Sequence, residues 1–245
     1  MDKIEEGLIL LQEDLEKFDI HLEQGQINQF EEYYKLLIEW NSFMNLTAIT
    51  EFSEVVKKHY VDSASLIKAI PGLSEKQYSI IDVGTGAGFP GIPLKIIFPG
   101  LRITLLDSLN KRVQFLKEVI HSLGLNNIDA VHGRAEDFAK PGKLREAYDI
   151  CVSRAVANLA VLAEYCIPFV KKDGCFVAYK SEKVSEEYEG AKKAIELLGG
   201  GGVKQIEFKL PDSDINRILF VVKKDHLTPL KYPRKSGTPS KEPIS

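Results

Sequence analysis

The chain has 245 residues, 44% hydrophobic and 27% charged, enough apolar content for one principal folded domain. Its longest apolar stretches, such as Ile80–Val83 and Ala155–Leu162, fall far short of the roughly 20 residues of a spanning helix. The acidic start (Asp2, Glu5, Glu6) lacks the pattern of a secretory signal, so a cytoplasmic protein without a membrane span is expected. Net charge is −3, but residues 1–24 hold eight acids and two bases, which leaves +3 on the remainder, a modest excess that excludes no polyanionic partner.

In chain order, Ile4, Leu8, Leu11 and Leu15, then Ile27, Phe30, Tyr34, Leu37 and Met44, recur at helical spacing, and a third helix is predicted from about Ser53 to Ile70 with Val56, Tyr60, Ser63 and Ile67 on one side. Residues 1–72 therefore read as a helical layer, bounded at Pro71-Gly72. Residues 73–224 alternate strands (Tyr78–Val83, Arg102–Asp107, Ile128–His132, Asp149–Ser153, Cys175–Lys180) with helices (about Pro90–Phe98, Leu109–Leu123, Asn158–Val170, Glu182–Leu198), the pattern of a parallel sheet covered on both faces. Val203–Leu210 and Ile215–Lys223 are joined by only four residues, too few for a crossover, and must pair antiparallel. The expected fold is α/β, a mostly parallel seven-stranded sheet ending in an antiparallel hairpin, with an N-terminal helical extension; spacing supplies the hairpin, and by family likeness such an ending resembles a Rossmann-type class I methyltransferase, whereas dehydrogenase sheets end parallel. Residues 225–245, with Pro229, Pro233, Pro239 and Pro243, read as a basic, extended tail. Cys151, Cys166 and Cys175 form no Cys-x-x-Cys pair and sit among apolar neighbours, so free buried thiols are expected and no metal site.

The strongest chemical signal is Asp82-Val83-Gly84-Thr85-Gly86-Ala87-Gly88-Phe89-Pro90-Gly91, which closes the first strand and opens a helix. Gly86, Gly88 and Gly91 alone would suit a nicotinamide enzyme as well. Asp82 favours S-adenosylmethionine, because a carboxylate there suits the methionine ammonium and repels a pyrophosphate. Asp107, 19 residues after Gly88, is placed to take ribose hydroxyls, and Ala135 and Glu136 follow the third strand, where an adenine would lie. Ser153-Arg154-Ala155 ends the fourth strand without the Asn/Asp-Pro-Pro-aromatic run of amine methylation or the Pro-Cys of carbon methylation. The target should then be an intrinsically nucleophilic atom such as purine N7, for which positioning supplies most of the rate. Lys111, Arg112, Arg134, Arg154 and Lys180 fall at strand ends and, with Lys231, Arg234 and Lys235 of the tail, form a candidate phosphate-binding rim.

Together these motifs resemble the bacterial 16S ribosomal RNA guanine-N7 methyltransferases of the RsmG (GidB) family. The resemblance spans residues 27–245. It rests on Trp40-Asn41 with Asn45-Leu46-Thr47, His59-Tyr60-Val61-Asp62-Ser63, the Asp82–Gly91 loop, Asp107-Ser108 with Lys111-Arg112, Arg134-Ala135-Glu136, Ser153-Arg154-Ala155 and Tyr232-Pro233-Arg234-Lys235-Ser236-Gly237-Thr238-Pro239. It implies methylation of guanine 527 in the 530 loop, with 16S rRNA or the 30S subunit as partner, a monomeric enzyme, and S-adenosylmethionine as cofactor. By the same likeness Gly84, Phe89, Ala135, Glu136 and Arg154 contact the cofactor, joined by Gly86, Gly88 and Ser108 of the matched runs. Asn41, Asn45, His59 and the basic rim meet RNA or the target base, with Arg154 a further substrate-positioning candidate. A packed or capping histidine is the competing reading of His59. A methyltransferase on a non-RNA substrate and a non-catalytic ribosome-assembly protein are the alternatives.

Overall fold

The computed structural model describes residues 2–154, 157–181 and 184–244. The chain begins with α1 (Lys3–Glu16), capped by the Asp2 carboxylate, and α2 (Gln24–Met44), which opens with a capping box of Glu23 and Gln26. The third helical segment starts as α3 (Phe52–Val55), widens to a π-helix (Val56–Val61), returns to α4 (Asp62–Ala64) and tightens to a 3₁₀ turn (Ser65–Lys68). The single amphipathic helix expected from Ser53 to Ile70 is thus not what forms. Residues 55–57 and 59–66 are all buried, so the segment has no solvent stripe and each polar side chain in it needs an internal partner. Lys57 meets Asp14 and donates to the Pro211 carbonyl at 2.7 Å, and the Ser63 hydroxyl donates to the His59 carbonyl.

The alternating part folds as β1 (Ser79–Val83), α5 (Gly91–Ile97), β2 (Arg102–Asp107), α6 (Asn110–Ser122), β3 (Ile128–His132), α7 (Ala135–Phe138), β4 (Tyr148–Ser153), α8 (Leu159–Cys166), β5 (Val170–Lys180), α9 (Val184–Leu197), β6 (Gly200–Lys209) and β7 (Asn216–Lys224). Strand order is β3-β2-β1-β4-β5-β7-β6; the first five strands run parallel, while β7 is antiparallel to both β5 and β6. The predicted hairpin and fold class are therefore as observed. Of the predicted helix Glu182–Leu198, its first two residues lie outside the described ones. The short α7 carried no periodic signal, and β5 starts earlier than predicted because Val170 already pairs with Tyr148.

Two apolar cores flank the sheet, one under α1, α2, α5 and α6 and the other under α8 and α9. Gln26 on α2 donates to the carbonyls of Ile96 (2.7 Å) and Ile97 (3.2 Å), and Gln29 donates to that of Leu123 (2.8 Å), so α2 covers orphan carbonyls at the ends of α5 and α6. Chain order reverses between β1 and β4, which puts a crevice at their carboxyl ends. Among the described residues no helix is long and apolar enough to cross a membrane.

Candidate active site

The turn after β1 is held from below by Asp82, which is fully buried. One carboxylate oxygen, Oδ2, accepts from the Thr85 hydroxyl (2.7 Å) and the Gly91 amide (2.9 Å). The other, Oδ1, has no partner among the described residues. Burial pushes this carboxyl up to about 6, against those two hydrogen bonds. Glycine is required at two points. Gly88 has φ +99° and a Cβ there would press on Ile92 and the Tyr33 hydroxyl, while a Cβ on Gly91 would overlap Leu105 of β2. The turn is therefore wedged between α2 and the sheet, with its backbone fixed before any ligand arrives.

Beside it, Asp107 closes β2. Its Oδ2 accepts from the Gly86 amide at 3.0 Å and its Oδ1 from the Leu109 amide at 2.9 Å, and Arg112 stands 3.6 Å away. Gly84, Ser108, Ala135 and Glu136 line a crevice of about 200 Å³ together with Arg134 and Tyr165. Val83 and Leu106 supply apolar wall at its strand side and Leu162 at its helix side. Tyr165 and Leu162 come from α8, and no local motif marked them. Of the other residues expected at the cofactor, Asp82, Gly86, Gly88 and Asp107 build the turn, and Phe89 is buried behind it. An apolar slot with polar ends, lined by Gly84 two residues after a buried carboxylate whose second oxygen has no partner among the described residues, fits a nucleoside that brings its own cation.

At the end of β4, Ser153 donates to the Val83 carbonyl at 2.8 Å, tying the two switch-point strands together. Ala155 lies outside the described residues. Arg154 is anchored rather than free: Nη1 donates to the Lys58 carbonyl (2.9 Å) and to Asp62 Oδ2 (3.1 Å), and Nη2 reaches His59 Nδ1 (3.1 Å). Asp62, 2% exposed, binds Arg217 of β7 through its other oxygen at 3.0 Å. His59 Nδ1 faces two groups, the Arg154 guanidinium, which only donates, and the Lys58 carbonyl at 3.0 Å, which only accepts, while Nε2 lies 3.1 Å from the Thr47 hydroxyl. Burial, reinforced by the Arg154 charge, holds His59 down at about 3, so it is neutral at physiological pH. Its ring stacks on Phe89 at 4.4 Å, and the Arg154 guanidinium lies 5.2 Å from the same ring. Asn41 Oδ1 accepts from the amides of Leu46 (2.7 Å) and Thr47 (2.9 Å), bracing the loop that carries Thr47, while Asn45 takes the left-handed conformation (φ 50°) at the end of α2 and is exposed.

The bases expected to form one open rim divide into two groups. Lys111, Arg134, Lys231 and Lys235 are exposed and Arg112 is half-buried. Lys180 is different: its ammonium donates to the Ala157 carbonyl and to Glu187, both at 2.7 Å, holding the start of α8. Arg234 is also engaged, its guanidinium forking onto Glu164 of α8 (3.0, 3.1 and 2.7 Å) and reaching the Glu242 carbonyl. The segment after β7 is accordingly not the extended tail expected. Arg145 donates to the Thr228 and Tyr232 carbonyls, and α10 (Thr238–Lys241) buries Pro239. A buried acid 70 residues away reorganises it, which proline content cannot reveal. Cys151 and Cys166 are buried free thiols as expected; Cys175 is only half-buried, since the cover over its end of β5 is incomplete, and burial pushes its thiol up to about 12.

A parallel sheet closed by an antiparallel hairpin, with a nucleoside-sized crevice beside a glycine turn and acids ending its first two strands, defines a Rossmann-like methyltransferase. Solved structures agree on the fold. A putative methyltransferase of Haloferax volcanii in complex with the activator Trm112 superposes with TM-score 0.56 at 15% identity, covering 77% of this chain and 97% of that one. TYW2 of Pyrococcus horikoshii in complex with MeSAdo gives 0.53 at 17%, covering 69% and 62%. The family model for rRNA small subunit methyltransferase G (GidB) matches residues 26–216. The "Ribosomal RNA small subunit methyltransferase G" of Lachnoclostridium phytofermentans is 55% identical over 94% of both chains, and that of Alkaliphilus metalliredigens 51% identical over 98% of this chain and 99% of its own. The chain belongs to the rRNA small subunit methyltransferase G family.

Proposed function

We propose that this methyltransferase acts on N7 of a guanine in 16S ribosomal RNA, at position 527 of the 530 loop, with naked rRNA or the 30S subunit as its partner, and that it works as a single chain in the cytoplasm. S-adenosylmethionine is its cofactor, and when bound it supplies a methyl group already activated by a sulfonium. The buried Asp82 is the anion for the amino-acid ammonium, Asp107 receives ribose hydroxyls, and Ala135 with Glu136 borders the adenine. The observation that carries this reading is the unpartnered Asp82 oxygen beneath the glycine turn, in a chain whose relatives share about half its residues.

Purine N7 has a free lone pair, so no group has to remove a proton, and what the protein must do is hold the base in line. Arg154, locked by Asp62, His59 and the Lys58 carbonyl, forms a rigid wall suited to that task. His59 supports it as a neutral ring, and at about 3 it is too weak a base to act in proton transfer near neutrality. The exposed Lys111, Arg134, Lys231 and Lys235 and the half-buried Arg112 are the proposed phosphate contacts. The three-part division, with residues 1–72 as helical layer, 73–224 as catalytic core and 225–245 as a basic C-terminal piece, is part of the same proposal. Transfer of labelled methyl to 30S subunits and to naked 16S rRNA, followed by nucleoside mapping, tests it. Label recovered as 7-methylguanosine is expected from at least one substrate, and no incorporation into either would overturn the reading.

A further inference from the structure

The C-terminal segment was expected to touch RNA, but its polar groups point to another task. Two ties join it to the walls of the adenosine crevice. The Gly237 amide donates to Glu136 Oε1 at 2.7 Å, and Glu136 lines the crevice while itself being 4% exposed. Ser240 of α10 donates to the Gly237 carbonyl at 3.1 Å, bracing the residue that holds Glu136, and α10 packs on α8, which carries the crevice residue Tyr165. Arg234 supplies the anchor. Its backbone amide (2.7 Å) and its side-chain fork both bind Glu164, a fully buried acid adjacent to Tyr165 on α8.

Such a fork is strong for two reasons. The guanidinium matches the carboxylate in plane and spacing, and the carboxylate is out of water, so removing the base strands a buried charge. The Glu242 carbonyl accepts from the same guanidinium at 2.7 Å, which closes residues 234–242 into a loop around it. Lys231 and Lys235, on the outer surface of the same segment, take no part in these ties.

We infer that residues 232–242 form a strap that fixes the adenosine side of the cofactor pocket, with Arg234–Glu164 as its latch, Gly237 as its contact to Glu136 and Ser240 as the brace of Gly237. Arg234, Gly237 and Ser240 are positioning residues for S-adenosylmethionine, and do not belong to the RNA surface. The inference rests on the cofactor reading above, and the control below separates the two. Without the latch, Glu136 regains rotamer freedom that must be lost again each time the cofactor binds, so affinity falls before chemistry does.

The experiment is calorimetric titration of the full-length protein with S-adenosylhomocysteine, wild type against Arg234→Ala, Arg234→Lys, Gly237→Ala and Ser240→Ala, paired with steady-state kinetics and RNA binding at saturating cofactor product. Arg234→Ala is expected to weaken cofactor binding at least tenfold and Arg234→Lys, which keeps the charge without the fork, by an intermediate factor. KM for S-adenosylmethionine should rise by more than kcat falls, and the salt dependence of RNA binding should keep its slope. Gly237→Ala, strained at φ +85°, and Ser240→Ala leave the buried ion pair intact. They are expected to weaken cofactor binding about fivefold and threefold, and they carry the test if Arg234→Ala fails to fold. Cofactor affinity within twofold of wild type in every folded variant would overturn the strap, as would a loss confined to RNA affinity with a reduced salt slope. Failure of the wild-type protein itself to bind S-adenosylhomocysteine would instead overturn the cofactor reading.

Discussion

The two halves of the sheet's carboxyl edge use charge in opposite ways. At β1 and β2 the acids Asp82 and Asp107 accept from backbone amides and a hydroxyl, with Arg112 3.6 Å from Asp107, while among the described residues Asp82 has no ion-pair partner and one of its oxygens no hydrogen-bond partner. At β4 and β5 the bases Arg154 and Lys180 are each matched by a buried or half-buried acid on another element, Asp62 or Glu187. In the proposed function the first half holds a charge for the cofactor's ammonium, whereas the second has spent its charges on rigidity. A wall that must hold a neutral base in line needs stiffness, and a pocket that must hold an ammonium needs an anion.

Arg154→Ala strikes the spent half hardest. It leaves Asp62 with Arg217 alone and is expected to cost about 3 kcal/mol in denaturant unfolding together with most of the methyl transfer. A loss of activity with unchanged stability would show the network to be decorative. Asp82→Asn keeps the Thr85 and Gly91 contacts within reach and removes only the charge, so S-adenosylhomocysteine affinity should fall roughly 30-fold, or about 2 kcal/mol, with a circular dichroism spectrum like the wild type. Normal binding would break the contrast between the halves.

pH sharpens the same contrast. Asp82 sits above its ordinary value, at about 6, so its protonated form dominates in the free protein below that point. Cofactor affinity should therefore drop as pH falls through 6, while the free protein loses stability from this group as pH rises from about 4 to 6. Both trends should vanish in Asp82→Asn. His59 is depressed, so it contributes stability above about pH 6.5 that is lost as pH falls toward 3, and it should add no inflection to the rate profile between pH 6 and 8. The smallest effect expected is that of Lys111→Ala. Lys111 is exposed at the start of α6, and its loss should lower RNA affinity a few-fold and reduce the salt slope by about one.

The halves also differ in how far residues alone foretold them. The glycine turn, its two acids and the Ala135-Glu136 wall are local: strand, turn and helix follow one another within a few residues, and spacing carries the geometry. The hairpin was equally legible, because four residues cannot span a crossover. The π-helix was not, since the burial that shapes residues 56–61 comes from α1, α2 and the sheet rather than from their own periodicity. Arg154 with Asp62, Lys180 with Glu187 and Arg234 with Glu164 lie 92, 7 and 70 positions apart, and no spacing rule chooses among the chain's 35 acids for each base. Hence Lys180 and Arg234 looked like open phosphate ligands until the fold brought their acids to them.

The most direct test of a reserved anion beneath the glycine turn is the crystal structure of the protein with S-adenosylhomocysteine. The ligand's ammonium is expected on the Asp82 side of the turn, its ribose at Asp107, and its adenine between Ala135 and Tyr165. Density for the ligand elsewhere, or a pocket that accepts NAD in its place, would contradict it.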